Sequence, residues 1–193
     1  MATIRRVEKM TRVLRNRQPD LTVVFENIHD PHNVSAVFRT CDAVGVDRVH
    51  LLYTDQEFPD IGKKSSSSAK KWVEVSRHRD AQHLRAELKA SGFTIYATHL
   101  SPTARSHFDV DWTHPSAIIL GNEHAGVSDA ALAIADETLF IPMQGMIQSL
   151  NVSVAGAVLL YEACRQRMAA GRYPNPDHDP QSIQARLDEW TRK

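Results

Sequence analysis

From Thr3 to Arg17 the apolar residues Ile4, Val7, Met10 and Leu14 recur at helical spacing with arginines on the remaining faces, predicting a basic amphipathic helix that Pro19-Asp20 closes. Leu21 to Phe25 is a nearly continuous apolar run rich in β-branched residues, the pattern of a buried strand. After a loop over residues 26–32, Val34, Val37, Phe38 and Cys41 mark one side of a helix from Asn33 to Val44, stopped by Gly45. Further strands are expected over residues 48–53, 72–75, 93–98, 117–120 and 138–141, and helices over 80–90, 128–135 and 150–169. The segment 54–71, with Pro59, Gly62, a four-serine run and four lysines, reads as a long surface loop. In the last long helix, Val152 to Leu160 is apolar around most of its circumference and is expected to be buried on most sides, one of which a second chain could supply. Strands alternating with helices at this spacing give an α/β fold with a mostly parallel sheet flanked by helices. The chain divides into a basic N-terminal helix (1–19), a main domain (20–170), and a proline-marked linker with a short terminal helix (171–193).

Composition narrows the class. With 193 residues, 42% of them apolar and 24% charged, the chain is an ordinary globular protein of one domain, two at most. Cys41 and Cys164 stand too far apart in sequence for metal-ligand spacing and form no disulfide framework, so a cytoplasmic setting is expected. No apolar run reaches the roughly 18 to 20 residues of a membrane-spanning helix, and the N-terminus lacks a signal-peptide core. No membrane association is expected.

The 23 basic and 23 acidic residues cancel, which at first argues against a polyanionic partner. They are not evenly spread. Residues 1–19 hold six basic groups against Glu8 alone, and residues 63–90 hold eight against three acids, whereas 20–62 and 101–140 are acidic. Screening confines each charge to about 8 to 10 Å, so two basic blocks on a neutral chain can still form a local footprint for phosphates. Two solvated helix faces would explain the same blocks.

Strand-rich α/β domains suggest nucleotide sites, yet no Gly-x-Gly-x-x-Gly follows the first strand and no phosphate-binding Gly-Lys-Ser/Thr loop occurs, which disfavours an ordinary dinucleotide or ATP site. Glycines gather instead after late strands, in Gly121-Asn122-Glu123-His124-Ala125-Gly126 and around Gly145, where two loops could hold an adenosine-sized group through main-chain atoms and apolar walls. His29 and His32 form a His-x-x-His pair without a supporting third ligand, so no metal is expected there. A serine hydrolase elbow of the Gly-x-Ser-x-Gly type is absent.

Three separated motifs give these features a common meaning. Pro31-His32-Asn33-Val34-Ser35-Ala36-Val37-Phe38-Arg39-Thr40, Gly121-Asn122-Glu123-His124-Ala125-Gly126-Val127, and Ile141-Pro142-Met143 through Ser149-Leu150-Asn151-Val152-Ser153 together resemble the SpoU/TrmH family of RNA ribose 2′-O-methyltransferases, in the SPOUT class of AdoMet-dependent enzymes. Within it, Arg17-Gln18-Pro19-Asp20 at one end and Gln166-Arg167 to Gly171-x-Tyr173 at the other look like the branch that methylates guanosine 18 in the tRNA D-loop. The resemblance implies a C-terminal trefoil knot, a homodimer and S-adenosyl-L-methionine as co-substrate, with tRNA as partner and no metal. It places Thr98, Gly121, Ile141, Met143 and Leu150 on the AdoMet pocket. Arg39 is the matched catalytic residue, with Asn33, Glu123, Ser149 and Asn151 around it. The same residue types have structural readings as caps and turn residues. Arg6, Lys9, Arg17, Lys63, Lys64, Lys70 and Lys71 are expected to grip the tRNA backbone. A relative acting on another tRNA or rRNA site, or a non-catalytic RNA-binding module, is the alternative; the module has no need of the Asn33, Arg39, Glu123 and Asn151 set.

Overall fold

The computed structural model describes residues 3–59 and 69–192. Seven strands, β1 (Leu21–Glu26), β2 (Arg48–Leu52), β3 (Glu74–His78), β4 (Thr94–Thr98), β5 (Arg105–Ser106), β6 (Ser116–Leu120) and β7 (Glu137–Phe140), form one sheet in the order β3-β2-β1-β6-β4-β7-β5. Every pairing is parallel. The helices are α1 (Ile4–Arg15), α2 (Pro31–Ala43), α3 (Ala81–Ala90), α4 (Asp129–Leu132), α5 (Val152–Ala169) and α6 (Pro180–Thr191). The apolar run of β1 follows from its central place: Val23 and Phe25 join a core with Val34, Val37 and Phe38 of α2 and Leu159 and Leu160 of α5, while Val24 points to a second core with Leu84 and Leu88 of α3. Alternate residues of a strand face opposite sides, so a strand covered on both sides is apolar throughout.

Some boundaries move for local reasons. α2 starts at Pro31 rather than Asn33, because the Asp30 side chain accepts a hydrogen bond from the His32 amide and Pro31 sits in the first turn. The strand expected at Trp72 begins at Glu74; Ala69–Lys71 makes a short 3-10 turn instead, and Trp72 packs against Trp190 of α6 with ring centroids 4.8 Å apart. The helix expected after Ser128 is a single turn capped by that serine. β5, two residues long, is too short to show any periodicity.

α5 is buried on one face only, through Gly156, Leu159, Leu160, Ala163 and Arg167. A Cβ on Gly156 would stand 2.9 Å from Leu120 Cδ1, so the missing side chain sets how closely α5 approaches the sheet. The expectation of burial on most sides is corrected: Val154, Tyr161 and Met168, seven residues apart in turn, are exposed. At the other end of the molecule, Met10 and Leu14 of α1 and Leu187 and Trp190 of α6 make a small separate core.

Two buried arginines join distant parts of the chain. Arg167 donates to Asp20 (2.5 Å), Gln18 (3.0 Å) and the carbonyls of Trp112 and His114, while Gln18 donates to the carbonyl of Arg172. The segments 17–20 and 166–173 therefore meet in one network. Arg17, expected to touch RNA, is corrected to a structural residue: it is fully buried, and its guanidinium donates to Val46 O, Asp42 and Trp72 O. The helix had looked basic on every outer face because spacing alone does not register that the chain turns inward after Arg15.

Candidate active site

The carboxyl ends of β6, β4 and β7 are adjacent in the sheet, and the loops that leave them enclose a cleft of about 940 Å³. Such strand ends are where parallel sheets place ligands. The loop after β6 is shaped by two local features. Asn122 accepts hydrogen bonds from the His124 and Ala125 amides and donates to the carbonyl of Asn27, which pins the turn to the end of β1. Gly121 lets the returning chain pass: a Cβ there would lie 2.4 Å from the Gly126 carbonyl carbon and the Val127 nitrogen. Asn27 itself has φ 47°, and its amide ties Glu26 to Thr54. Asn27 is not singled out by the sequence pattern; an asparagine directly after a strand, tolerant of the left-handed region and able to mimic a turn, is the signal that marks it, whereas Asn122 stands in the second motif with no role of its own.

All five residues expected on the AdoMet pocket, Thr98, Gly121, Ile141, Met143 and Leu150, line this cleft, together with Glu123, Ser149 and Asn151. Leu120, Leu139 and the exposed Leu100 and Ile147 add apolar wall that the motifs did not single out. The Thr98 hydroxyl is committed to the carbonyl of Ile119 (2.9 Å), so it braces β4 against β6.

Three polar residues from different elements form a chain at the cleft. The Glu123 carboxylate accepts from the amides of His29 (2.9 Å) and Asp30 (3.1 Å) and from Asn33 Nδ2 (2.8 Å), and Asn33 Oδ1 accepts from Asn151 Nδ2 (3.2 Å). Asn151 also caps α5 by accepting from the Ser153 amide. Burial opposes ionisation of Glu123, but the Asn33 amide and the His29 and Asp30 N–H groups outweigh it and hold the carboxyl below its ordinary range. Asn33 thus lies in the first turn of α2 with both ends of its amide engaged, which a role as the helix cap would not provide.

Arg39 stands apart. It is exposed on α2, does not line the cleft, and among the described residues has no hydrogen bond or ion pair. Arg6 and Lys9 are exposed on α1, and Lys70 and Lys71 are exposed in the turn before β3. Lys63 and Lys64 lie outside the described residues. His29 and His32 are both exposed.

A parallel α/β domain with a glycine-shaped cleft across three adjacent strand ends, apolar on its walls and polar at Glu123 and Asn151, which Asn33 bridges from α2, has the makings of a nucleoside-binding group-transfer enzyme. Residues 20–161 match the SpoU rRNA Methylase family, and the chain belongs to it. A tRNA (guanosine(18)-2′-O)-methyltransferase of Thermus thermophilus is 51% identical over 98% of this chain and 95% of its own length. Among solved structures, the A. aeolicus TrmH/SpoU tRNA modifying enzyme superposes with a TM-score of 0.90 at 39% identity, covering 97% of this chain and 95% of that one. The SpoU methyltransferase AviRb from Streptomyces viridochromogenes, solved in complex with AdoMet, gives 0.72 at 28% identity over 79% and 62% of the two chains.

Proposed function

We propose that this protein is an AdoMet-dependent methyltransferase that modifies the ribose 2′-oxygen of guanosine 18 in the tRNA D-loop. The observation that carries the reading is the hydrogen-bonded line Asn151–Asn33–Glu123, which joins the three motifs of the family at one cleft. The residues fit the co-substrate: 940 Å³ is within the usual size of small-molecule sites, and Leu120, Leu139, Ile141 and Leu150 offer apolar contact to an adenosine. When bound, AdoMet supplies a methyl group on a positively charged sulfonium. Everything else falls to the chain's own side chains, whose task is to orient the ribose oxygen and to stabilise charge as its proton leaves.

Glu123 spends its lone pairs on three N–H donors and has a lowered proton affinity, so it serves to fix Asn33 rather than to take a proton. Asn33 and Asn151 in turn present a rigid polar wall, with Ser149 beside them. Arg39, exposed and unpaired among the described residues, carries a cation to the substrate; a guanidinium, with five donors and no free lone pair, stabilises an alkoxide or holds a phosphate instead of acting as a base. In this reading the segment from Ile141 to Asn151 threads the C-terminal knot, and a second copy of the chain covers the Val154, Tyr161 and Met168 stripe of α5. The protein works in the cytoplasm, where its tRNA substrate resides, and Arg6, Lys9, Lys70 and Lys71 meet the tRNA backbone.

Incubation with labelled AdoMet and unmodified tRNA, followed by mapping of the methylated nucleotide, tests the reading. One methyl on the ribose of nucleotide 18 is expected; methylation elsewhere, or of a transcript carrying 2′-deoxyguanosine at that position, overturns it. Arg39→Ala should lower turnover by about 10²- to 10³-fold with AdoMet binding retained. Tyr161→Glu should yield a monomer in sedimentation analysis.

A further inference from the structure

On the far side of β1 from the cleft, His50 of β2, His78 at the end of β3 and Glu87 of α3 converge. His50 points to the sheet face that α3 covers, as its strand neighbour Leu52 does two residues on. Both imidazoles are nine-tenths or more buried, with 4% and 7% exposure. His50 Nδ1 lies 3.0 Å from His78 Nε2. Glu87 sends one oxygen toward each ring, 4.0 Å from His50 Nδ1 and 3.9 Å from His78 Nε2, too far for a hydrogen bond to either. A shared proton accounts for the two rings alone. It leaves unexplained a carboxylate poised evenly over both nitrogens.

We propose that His50, His78 and Glu87 bind a divalent transition-metal ion, zinc by preference, that staples the edge strand β3 and its neighbour β2 to α3. The three donor atoms lie within 4.8 Å of one another. Tetrahedral zinc, with bonds of about 2.0 to 2.2 Å to nitrogen and oxygen, sets its donors roughly 3.3 Å apart. The imidazoles therefore open by a few tenths of an ångström, and Glu87, whose side chain is 38% exposed, swings in by somewhat more. Two imidazoles and one carboxylate suit zinc better than the hard ions calcium and magnesium, which prefer oxygen. A neutral imidazole keeps one ring nitrogen with a free lone pair, the form in which histidine binds an ion. The proton between them shifts to the other nitrogen of its own ring, and none is released. A fourth donor stands near: His83, one turn ahead of Glu87 on α3, has its ring centroid 6.2 Å from that of His78.

The full-length protein, stripped with chelator, is titrated with zinc chloride by calorimetry and with cobalt chloride by visible absorption. One ion per chain is expected, with the d–d bands of a low-coordinate cobalt site and a melting midpoint that rises with free zinc but not with magnesium. Glu87→Gln, at a half-exposed position that tolerates an amide, should weaken zinc binding at least tenfold. His50→Gln should abolish it. The double variant His29→Ala with His32→Ala should bind as the parent does. Absence of stoichiometric binding overturns the proposal, as does binding that persists in Glu87→Gln and disappears in the His29, His32 variant.

Discussion

Glu26 shows how far one buried group can shift stability with pH. It ends β1 with almost no exposure, and burial raises its carboxyl above the ordinary 4.5, hydrogen bonds involving Ser128 and Asn27 offsetting only part of the effect. A folded state that binds the proton more tightly than the unfolded chain loses stability as pH rises from 4.5 through the raised value. Glu26→Gln removes that loss, so the variant should be more stable than the parent at pH 8, with the gain fading below pH 4.5; urea unfolding at the two pH values measures it. Gly121→Ala works by shape: a methyl 2.4 Å from the Val127 nitrogen forces the loop after β6 open, and AdoMet binding should fall below detection in calorimetry while the far-UV spectrum is retained. Arg17 is the reverse of its sequence pattern. Arg17→Ala leaves Asp42 and two carbonyls without their donor and should cost about 3 to 5 kcal/mol in denaturant unfolding, whereas Lys9→Ala, exposed on α1, should cost almost nothing. Motifs could point to Asn33, Glu123 and Asn151 one by one. That they bond to each other across 90 and 118 residues of chain is information held by the fold, since no local spacing encodes it.

At the level of elements, helix starts expected at residues 80 and 128 fall within one residue of the observed ones, where Asp80 and Ser128 act as caps, and strands with nearly continuous apolar runs proved to be the interior ones. Errors fell where tertiary contact overrides local preference. Trp72 has the look of a strand residue but is drawn out of β3 by Trp190, more than a hundred positions away. α5 shows apolar residues on most faces because one face meets α2 and the sheet while another stays open in the single chain, two environments that the sequence cannot tell apart. Its C-terminal half carries the heaviest structural duty. Arg167→Met keeps much of the volume but strips the donor from Asp20 Oδ1, Gln18 Oε1 and the Trp112 carbonyl, while Asp20 keeps Arg172 and the His114 carbonyl keeps the Ser116 hydroxyl, so α5 should loosen from the start of β1 at a cost of about 3 kcal/mol. A lowered unfolding midpoint with an increased native-state exchange rate for the amides of α5 is the expected record.

The molecule as a whole resolves its zero net charge into regions. Arg5, Arg6, Lys9, Arg12 and Arg15 are exposed on α1, which packs on α6 at the β3 side of the sheet, near the exposed Lys70 and Lys71. Removing α1 would uncover Leu187 and Trp190, so charge reversal is the cleaner test. Arg6→Glu with Lys9→Glu should weaken tRNA binding and flatten its salt dependence, each lost phosphate contact removing roughly 0.7 to 0.9 from the log–log slope, while AdoMet binding is unchanged. Strand order has its own effect on how this molecule comes into being. β6 pairs with β1 on one side and β4 on the other, so Leu21 must wait for Ser116, and the half-sheets β3-β2-β1 and β4-β7-β5 have no direct seam. While a ribosome is still short of residue 116, β1 presents a bare, mostly apolar edge, and nothing made so far can close it. Insertion of a single five-residue strand between two waiting edges is a late, long-range event, which makes the nascent chain slow to mature and dependent on protection from its own kind until β6 arrives.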